Sequence, residues 1–327
     1  MNRTGNRQRN HAARLVIVGL TLFALLGLSF AGCSSKEKPK VLVGFSQMEN
    51  NTPWRVAETN SIKQEAAKRG YELVVTDAGG QASKQVSDVK DLIARKVSAI
   101  FLAPREFEAL APALQAAKEA KIPVFLIDRE AAGKVGEDYV TFIGSNFKDQ
   151  GLRAAQWLIA QTGGKANIVE LTGTTGSSVA RDRSQGFNDR IKPIPEMKVI
   201  ASETGDFSRE KAQKVMENLI KTKGKQVNAI FAHNDEMALG AIQALKAAGR
   251  QPGKDVVIVS IDGEKDALQA IINGEIGASV ESSPRFGPLA FDSLDKYLNK
   301  RKLPTKIILE DRLFSAENAR EYLDEAY

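Results

Sequence analysis

The chain predicts an α/β protein built as two doubly wound parallel-sheet lobes joined by three hinge crossings. Three observations carry that expectation. Short β-branched and aromatic runs alternate with segments of helical period along most of the sequence. Two stretches read as copies of one unit: "SAIFLAP" (98–104), a helix and "IPVFLIDRE" (122–130) recur as "NAIFAHNDE" (228–236), a helix and "DVVIVSIDGE" (255–264). The length of 327 residues favours two domains over one, and a hydrophobic fraction of 43% suffices for two cores.

Taken in order, "VLVGFS" (41–46) reads as the first strand. Thr52 is placed to cap a helix with Pro53 at its first position, and Gly70 ends it. "ELVVTD" (72–77) follows, then a helix with Val86, Val89, Leu92, Ile93 and Val97 on one face. "SAIFLA" and "VFLID" suit strands buried on both faces. After "YVTFIGSN" (139–146) the pattern restarts with a helix around Trp157, the strand "NIVELTG", and a helix with Ala212, Val215, Met216, Leu219 and Ile220 on one face. Two late strands, "GASVESS" (277–283) and "KIILED" (306–311), have no place in the second unit. Their simplest use is to pass between lobes, with hinges near Ser145, Glu281 and Asp311. The expected division is 39–145 with 282–311, and 146–281 with 312–327.

Residues 1–35 differ in kind. Arg3, Arg7, Arg9 and Arg14 precede a 16-residue apolar run (15–30), and Ala31 and Gly32 precede Cys33. That is the pattern of a signal peptide, and the run is short for a membrane span; an uncleaved anchor is the competing reading. Cys33 is the sole cysteine, so no internal disulfide forms. The segment resembles the bacterial lipoprotein signal, which implies lipidation of Cys33. Acyl chains at ~0.8 kcal/mol per buried methylene would hold the protein on a membrane, with 34–40 as tether. The net charge of +6 falls to about +2 once those four arginines are removed. A near-neutral body without a basic stripe gives no support for nucleic-acid binding.

Polar residues cluster where strands end. Asp128 and Arg129 follow one strand, Asn234 and Asp235 its counterpart, and Asp262 the next. Ligands of parallel α/β sheets bind at the carboxyl ends of strands. Arg181 and Arg183 follow the turn "TGTTGSS", Trp54 and Arg55 open the first helix, Phe207 lies in a loop, and Glu281 lies on a late strand. Sugars need this mixture: carboxylates accept from hydroxyls, Arg and Asn donate to them, and aromatic rings cover C–H faces. Each residue has a plainer reading. Asp128 and Asp262 would serve as helix caps, Arg183 as a surface ion pair, and Trp54 or Phe207 as core. No His/Cys cluster has metal spacing, "GTTGSS" lacks the ending of a phosphate loop, and no Gly-x-Ser-x-Gly elbow occurs. The two aspartates would fit a glycosidase pair, but the spread of Arg and Asn partners points to holding a ligand. No cofactor and no enzymatic activity are expected.

From about Pro39 onward, "IPVFLIDRE", "VARDRSQGF", "FAHNDEMALGAIQAL" and "SIDG" closely resemble the ribose-binding group of periplasmic sugar-binding proteins of bacterial ABC transporters. "VGFSQMENNTPWRVAETN", "VELTGTTGSSVARDR" and "SVESSP" are most similar to its galactofuranose-binding branch, apart from the loop "MENNT". The resemblance implies the type I periplasmic binding protein fold and a single monosaccharide held between closing lobes. It implies ligand contacts from Asp128 and Arg129 in the first lobe and from Arg183, Asn234 and Asp262 in the second. Trp54 and Phe207 stand at aromatic positions, Arg55 replaces a second aromatic of ribose binders, and Ala103 replaces an Asn. Glu281 stands where ribose binders use Gln, and Ser46 and Ser145 complete the expected set. The implied partner is an ABC transporter permease, with the protein a lipid-anchored monomer in the periplasm or on the outer cell surface. Two rivals stand beside it: a sensory module serving a chemoreceptor or histidine kinase, and a sugar-processing enzyme.

Overall fold

A computed structural model describes residues 41–327; the signal segment, Cys33 and the tether lie outside the described residues. The first sheet collects β1 (Leu42–Gln47), β2 (Glu72–Asp77), β3 (Ala99–Leu102), β4 (Val124–Ile127), β5 (Thr141–Ser145) and β11 (Lys306–Leu309), in the order β11-β5-β4-β3-β1-β2. The second collects β6 (Ala166–Thr172), β7 (Met197–Thr204), β8 (Ala229–Ala232), β9 (Val257–Asp262), β10 (Ala278–Glu281) and β12 (Leu313–Ser315), in the order β12-β10-β9-β8-β6-β7. Position by position, the second order repeats the first. Every pairing is parallel except β10 with β12. The two Ile-Asp strand ends therefore fall at equivalent places: Asp128 directly after β4, and Asp262 as the last residue of β9.

Among the described residues ten α-helices cover the sheets: α1 (Pro53–Arg69), α2 (Ala82–Ala94), α3 (Ala111–Glu119), α4 (Phe147–Thr162), α5 (Ser178–Ile191), α6 (Arg209–Lys223), α7 (Asp235–Ala247), α8 (Lys265–Ile272), α9 (Gly287–Leu298) and the short α10 (Ala319–Tyr322). Thr52 caps α1 by accepting from the Arg55 amide, Pro53 occupies the first turn, and Gly70 ends the helix in a left-handed conformation. All three follow from the sequence signals. One face of the first sheet packs on α1 and α9 through Phe45, Ile62, Phe101, Phe125 and Phe291. One face of the second packs on α4 and α5 through Leu158, Ile168, Phe187, Phe231 and Ile261, with the Phe187 and Phe231 rings stacked at 4.1 Å.

The chain passes between sheets three times: after β5, after β10, and between β11 and β12. These are the crossings expected near Ser145, Glu281 and Asp311. Two strands escape the sequence reading. β7 is an edge strand whose exposed positions weaken its apolar pattern, and β12 has only three residues and pairs antiparallel with β10.

Candidate ligand-binding site

The first turn of α1 builds one wall. The Thr52 cap fixes where α1 starts, and Trp54 and Arg55 follow at once. The Arg55 guanidinium bridges two carboxylates: Nη2 donates to Asp128 Oδ2 at 2.7 Å and Nη1 to Glu58 Oε2 at 2.8 Å. Asp128 holds a positive φ of 63°, a left-handed conformation in which Asp and Asn are enriched. The chain turns sharply there, with the Arg129 amide donating to Ile127 O at 2.7 Å. Arg129 Nη1 donates to the Arg105 carbonyl at 2.9 Å, and its guanidinium lies 5.2 Å from the centre of the Phe207 ring.

The second lobe supplies the facing wall. Arg183 on α5 is threaded through three partners: Nε donates to Gln150 Oε1 at 2.9 Å, Nη1 to the His233 carbonyl, and Nη2 reaches Asp262 Oδ1 at 3.5 Å. Asn234 caps α7 with its Oδ1, while its Nδ2 donates to the Phe207 carbonyl. Asp262 has a positive φ of 134°. Its loop is fastened by the buried Asp235 carboxylate, which accepts from the amides of Gly263 at 2.7 Å and Glu264 at 2.8 Å. Asp206 and Phe207 are both left-handed, and that bend brings the Phe207 ring to the cavity.

These walls line a cleft whose empty space, open solvent at its mouth included, is about 370 Å³. The lobes are closed upon it. The Phe107 amide donates to Gly176 O at 2.9 Å, the Glu130 amide to Ser178 Oγ at 2.9 Å, and Arg105 pairs with Asp206 at 3.3 Å, each across the gap between lobes. Burial sets the electrostatics. It pushes the Asp262 carboxyl well above the ordinary range against the pull of Arg183. Arg129 falls to about 9, through burial first and the neighbouring Arg55 second. Burial also opposes the charge of Arg55, but Asp128 and Glu58 outweigh it and hold that guanidinium protonated. The lining holds as many acidic as basic side chains: Arg55, Arg129 and Arg183 beside Glu49, Asp128 and Asp262.

Eight of the eleven expected residues line this cavity: Trp54, Arg55, Asp128, Arg129, Arg183, Phe207, Asn234 and Asp262. Three do not. Ser46 is fully buried in β1, with its carbonyl taken by Ala103 N and Gln85 Nε2. Ser145 donates to Asp311 Oδ1 at 3.0 Å, in a hinge crossing. The Glu281 carboxylate is chelated by Arg312, Nε at 2.7 Å and Nη2 at 2.8 Å, and so points toward β12. The plainer readings also resolve. Asp128 does not cap a helix, and Arg183 is 3% exposed, not a surface pair. Trp54 does both jobs: its ring packs 6.0 Å from Phe286, its Nε1 donates to Ser282 O at 2.7 Å, and it lines the cavity. Glu49, Thr52 and Val179 also line the cavity. Sequence reasoning missed Glu49 and passed over Thr52 as only a cap. The departure of "MENNT" from the related branch was the one signal that could have found Glu49.

A two-lobed α/β molecule with a cleft lined by acids and guanidiniums between hinged halves is a binding protein in architecture. The model of the periplasmic binding protein domain family matches residues 43–302. The chain belongs to that family. It is 41% identical over 315 residues to the galactofuranose-binding protein YtfQ of Escherichia coli, covering 95% of this chain and 97% of that one. The periplasmic binding protein of the arabinose ABC transporter of Shewanella sp. ANA-3, bound to α- and β-L-arabinofuranose, superposes with a TM-score of 0.84 at 40% identity, covering 87% of this chain and 95% of that chain. The fructose-binding periplasmic domain of a hybrid two-component system superposes with a TM-score of 0.80 at 27% identity, over 87% and 93%.

Proposed function

We propose that the chain is the sugar-binding lipoprotein of an ABC importer. It closes its lobes on one monosaccharide in furanose form, galactofuranose or a related aldohexose or pentose. One observation carries the reading: acids and guanidiniums from both lobes meet at one cavity beside the Trp54 and Phe207 rings. Such a lining suits a neutral polyhydroxylated ligand. Bonds to charged partners at ~1.5–3 kcal/mol each would supply the ~8 kcal/mol of a micromolar complex after ordering costs. The relatives named for galactofuranose and arabinofuranose support the ring form. Contact with both lobes exists only in the closed state, so the ligand's differential affinity shifts the hinge equilibrium, and the closed form docks on the permease. Cys33 is the lipid-attachment site, and fatty-acid labelling that disappears in Cys33→Ala checks it.

A second reading is favoured by the two-component neighbour: the same closed form would report to a receptor domain. Calorimetry against galactofuranose, arabinose, fructose and ribose tests the sugar reading. Selective binding of furanose-forming sugars is expected, and no heat with any of them would sink it. Capture of the sugar-bound protein by permease or by receptor domain then separates the two.

A further inference from the structure

Glu58 lies outside the cavity lining, yet it is fully buried and touches the site's most distinctive residue. It sits one turn after Arg55 on α1. Its Oε2 accepts from Arg55 Nη1 at 2.8 Å and from Gln47 Nε2 at 2.8 Å. Gln47 is itself held, donating to Thr59 Oγ1 at 3.2 Å and accepting from the Met48 amide at 2.9 Å. The other oxygen, Oε1, is buried without a partner. A carboxylate in that state is costly unless a cation stands beside it. Arg55 is that cation, and it spends its remaining fork on Asp128.

We propose that Glu58 is a positioning residue for ligand selection: it pins the Arg55 guanidinium against Asp128, so that Arg55 meets the ligand as a fixed donor. The proposal rests on the sugar-binding reading. It explains why an arginine is stable at this buried place: without Glu58, its one carboxylate partner in the site would be Asp128, which the ligand must share. The charged groups facing Glu58 are Arg55 on its own helix and Asp128 from the end of β4, while Gln47 from β1 and Thr59 contribute neutral contacts. Burial, with Asp128 adding to it against Arg55, raises the Glu58 carboxyl to about 7. The grip on Arg55 is therefore complete above that value and weakens as the pH falls through it.

The test compares wild type with Glu58→Gln, which keeps the shape and removes the charge. Calorimetry with L-arabinose and D-galactose from pH 5.5 to 8.5 should show wild-type affinity falling as pH drops through about 7. Glu58→Gln should bind about 10- to 100-fold more weakly at pH 8 and show a smaller step, what remains coming from Asp262. It should also discriminate less between the two sugars. A lowered melting temperature with affinity, pH step and selectivity intact would mean a structural role only, and would overturn the proposal. A crystal structure of sugar-free Glu58→Gln supplies a readout independent of any ligand. Arg55 should leave Asp128 there; Arg55 unmoved overturns the proposal. Failure of the wild type to bind any sugar would instead count against the sugar reading, leaving the crystal structure to decide on Glu58.

Discussion

Asp128 concentrates the chemistry of the first lobe. Its left-handed backbone turns the chain at the end of β4, and its carboxylate takes Arg55 at 2.7 Å. Replacing it with alanine removes an acceptor for ligand hydroxyls and one of the two counter-charges of Arg55. Asp128→Ala should retain the fold and lose about 100-fold or more in sugar affinity, since each charge-assisted bond contributes ~1.5–3 kcal/mol. Near-native heats in a calorimeter would remove Asp128 from the site. Asp235 shows how close a buried carboxylate can come to the site without belonging to it. Burial raises it to about 6, and its acceptor positions go to Ser260, Ser279 and the amides of the Asp262 loop. Asp235 holds Asp262 in place, and Asp262 faces the cavity.

At the scale of elements, the packing of α4 on α5 decides where Arg183 stands. The two helices touch backbone to backbone. A Cβ on Gly151 would lie 2.0 Å from the Arg183 carbonyl oxygen, and one on Gly186 would lie 1.9 Å from that of Lys148. Only hydrogen fits between them. Gly151→Ala must therefore push α5 away or strain it, at a cost of about 1–3 kcal/mol. A fall of roughly 2–10 °C in melting temperature is expected. Sugar affinity should drop with it, because Arg183 moves with its helix. Melting and binding both unchanged would show that the helices separate freely. α4 also links the hinge to the site, because Gln150 donates to Asp311 Oδ2 at 2.8 Å and accepts from Arg183 Nε. Any movement at the β11–β12 crossing is thereby felt at a cavity-lining guanidinium.

For the whole molecule, closure depends on a few contacts across the cleft. Arg105 stands between Glu49 of its own lobe and Asp206 of the other, at 3.4 Å and 3.3 Å. Its carbonyl receives Arg129, and Asp206 adjoins Phe207, so the ion pair sits beside two cavity residues. A partly exposed pair contributes about 1 kcal/mol and is screened by salt. Asp206→Asn should shift the ligand-free protein toward the open form, enlarging its radius of gyration in X-ray scattering, and should weaken sugar binding by about 5-fold. An unaltered scattering curve and affinity would show that hydrogen bonds such as Phe107 to Gly176 close the lobes without it.

The sequence by itself determined the layers, the duplication and most of the pocket. Apolar strand runs and helical stripes are local patterns set by burial, and the repeated Ile-Asp ends mark equivalent strand termini wherever the copies lie. Asp128 and Asp262 were legible for that reason, and Thr52 as a cap and the three crossings from local signals, whereas Arg183 and Trp54 drew their expected roles from the family resemblance. Only the tertiary structure decided which polar residues face the cavity and which face one another. Glu281 and Ser145 looked like ligand contacts, but Arg312 and Asp311, close in sequence to neither, claim their side chains. Glu58 drew no expectation from the sequence, and it is buried against Arg55 and Gln47 where α1 packs on β1. A strand pattern reports how deeply a residue is buried. The partner that satisfies a buried charge is fixed only when distant segments pack, because hydrogen bonds act over about 3 Å and the sequence places no two segments that close.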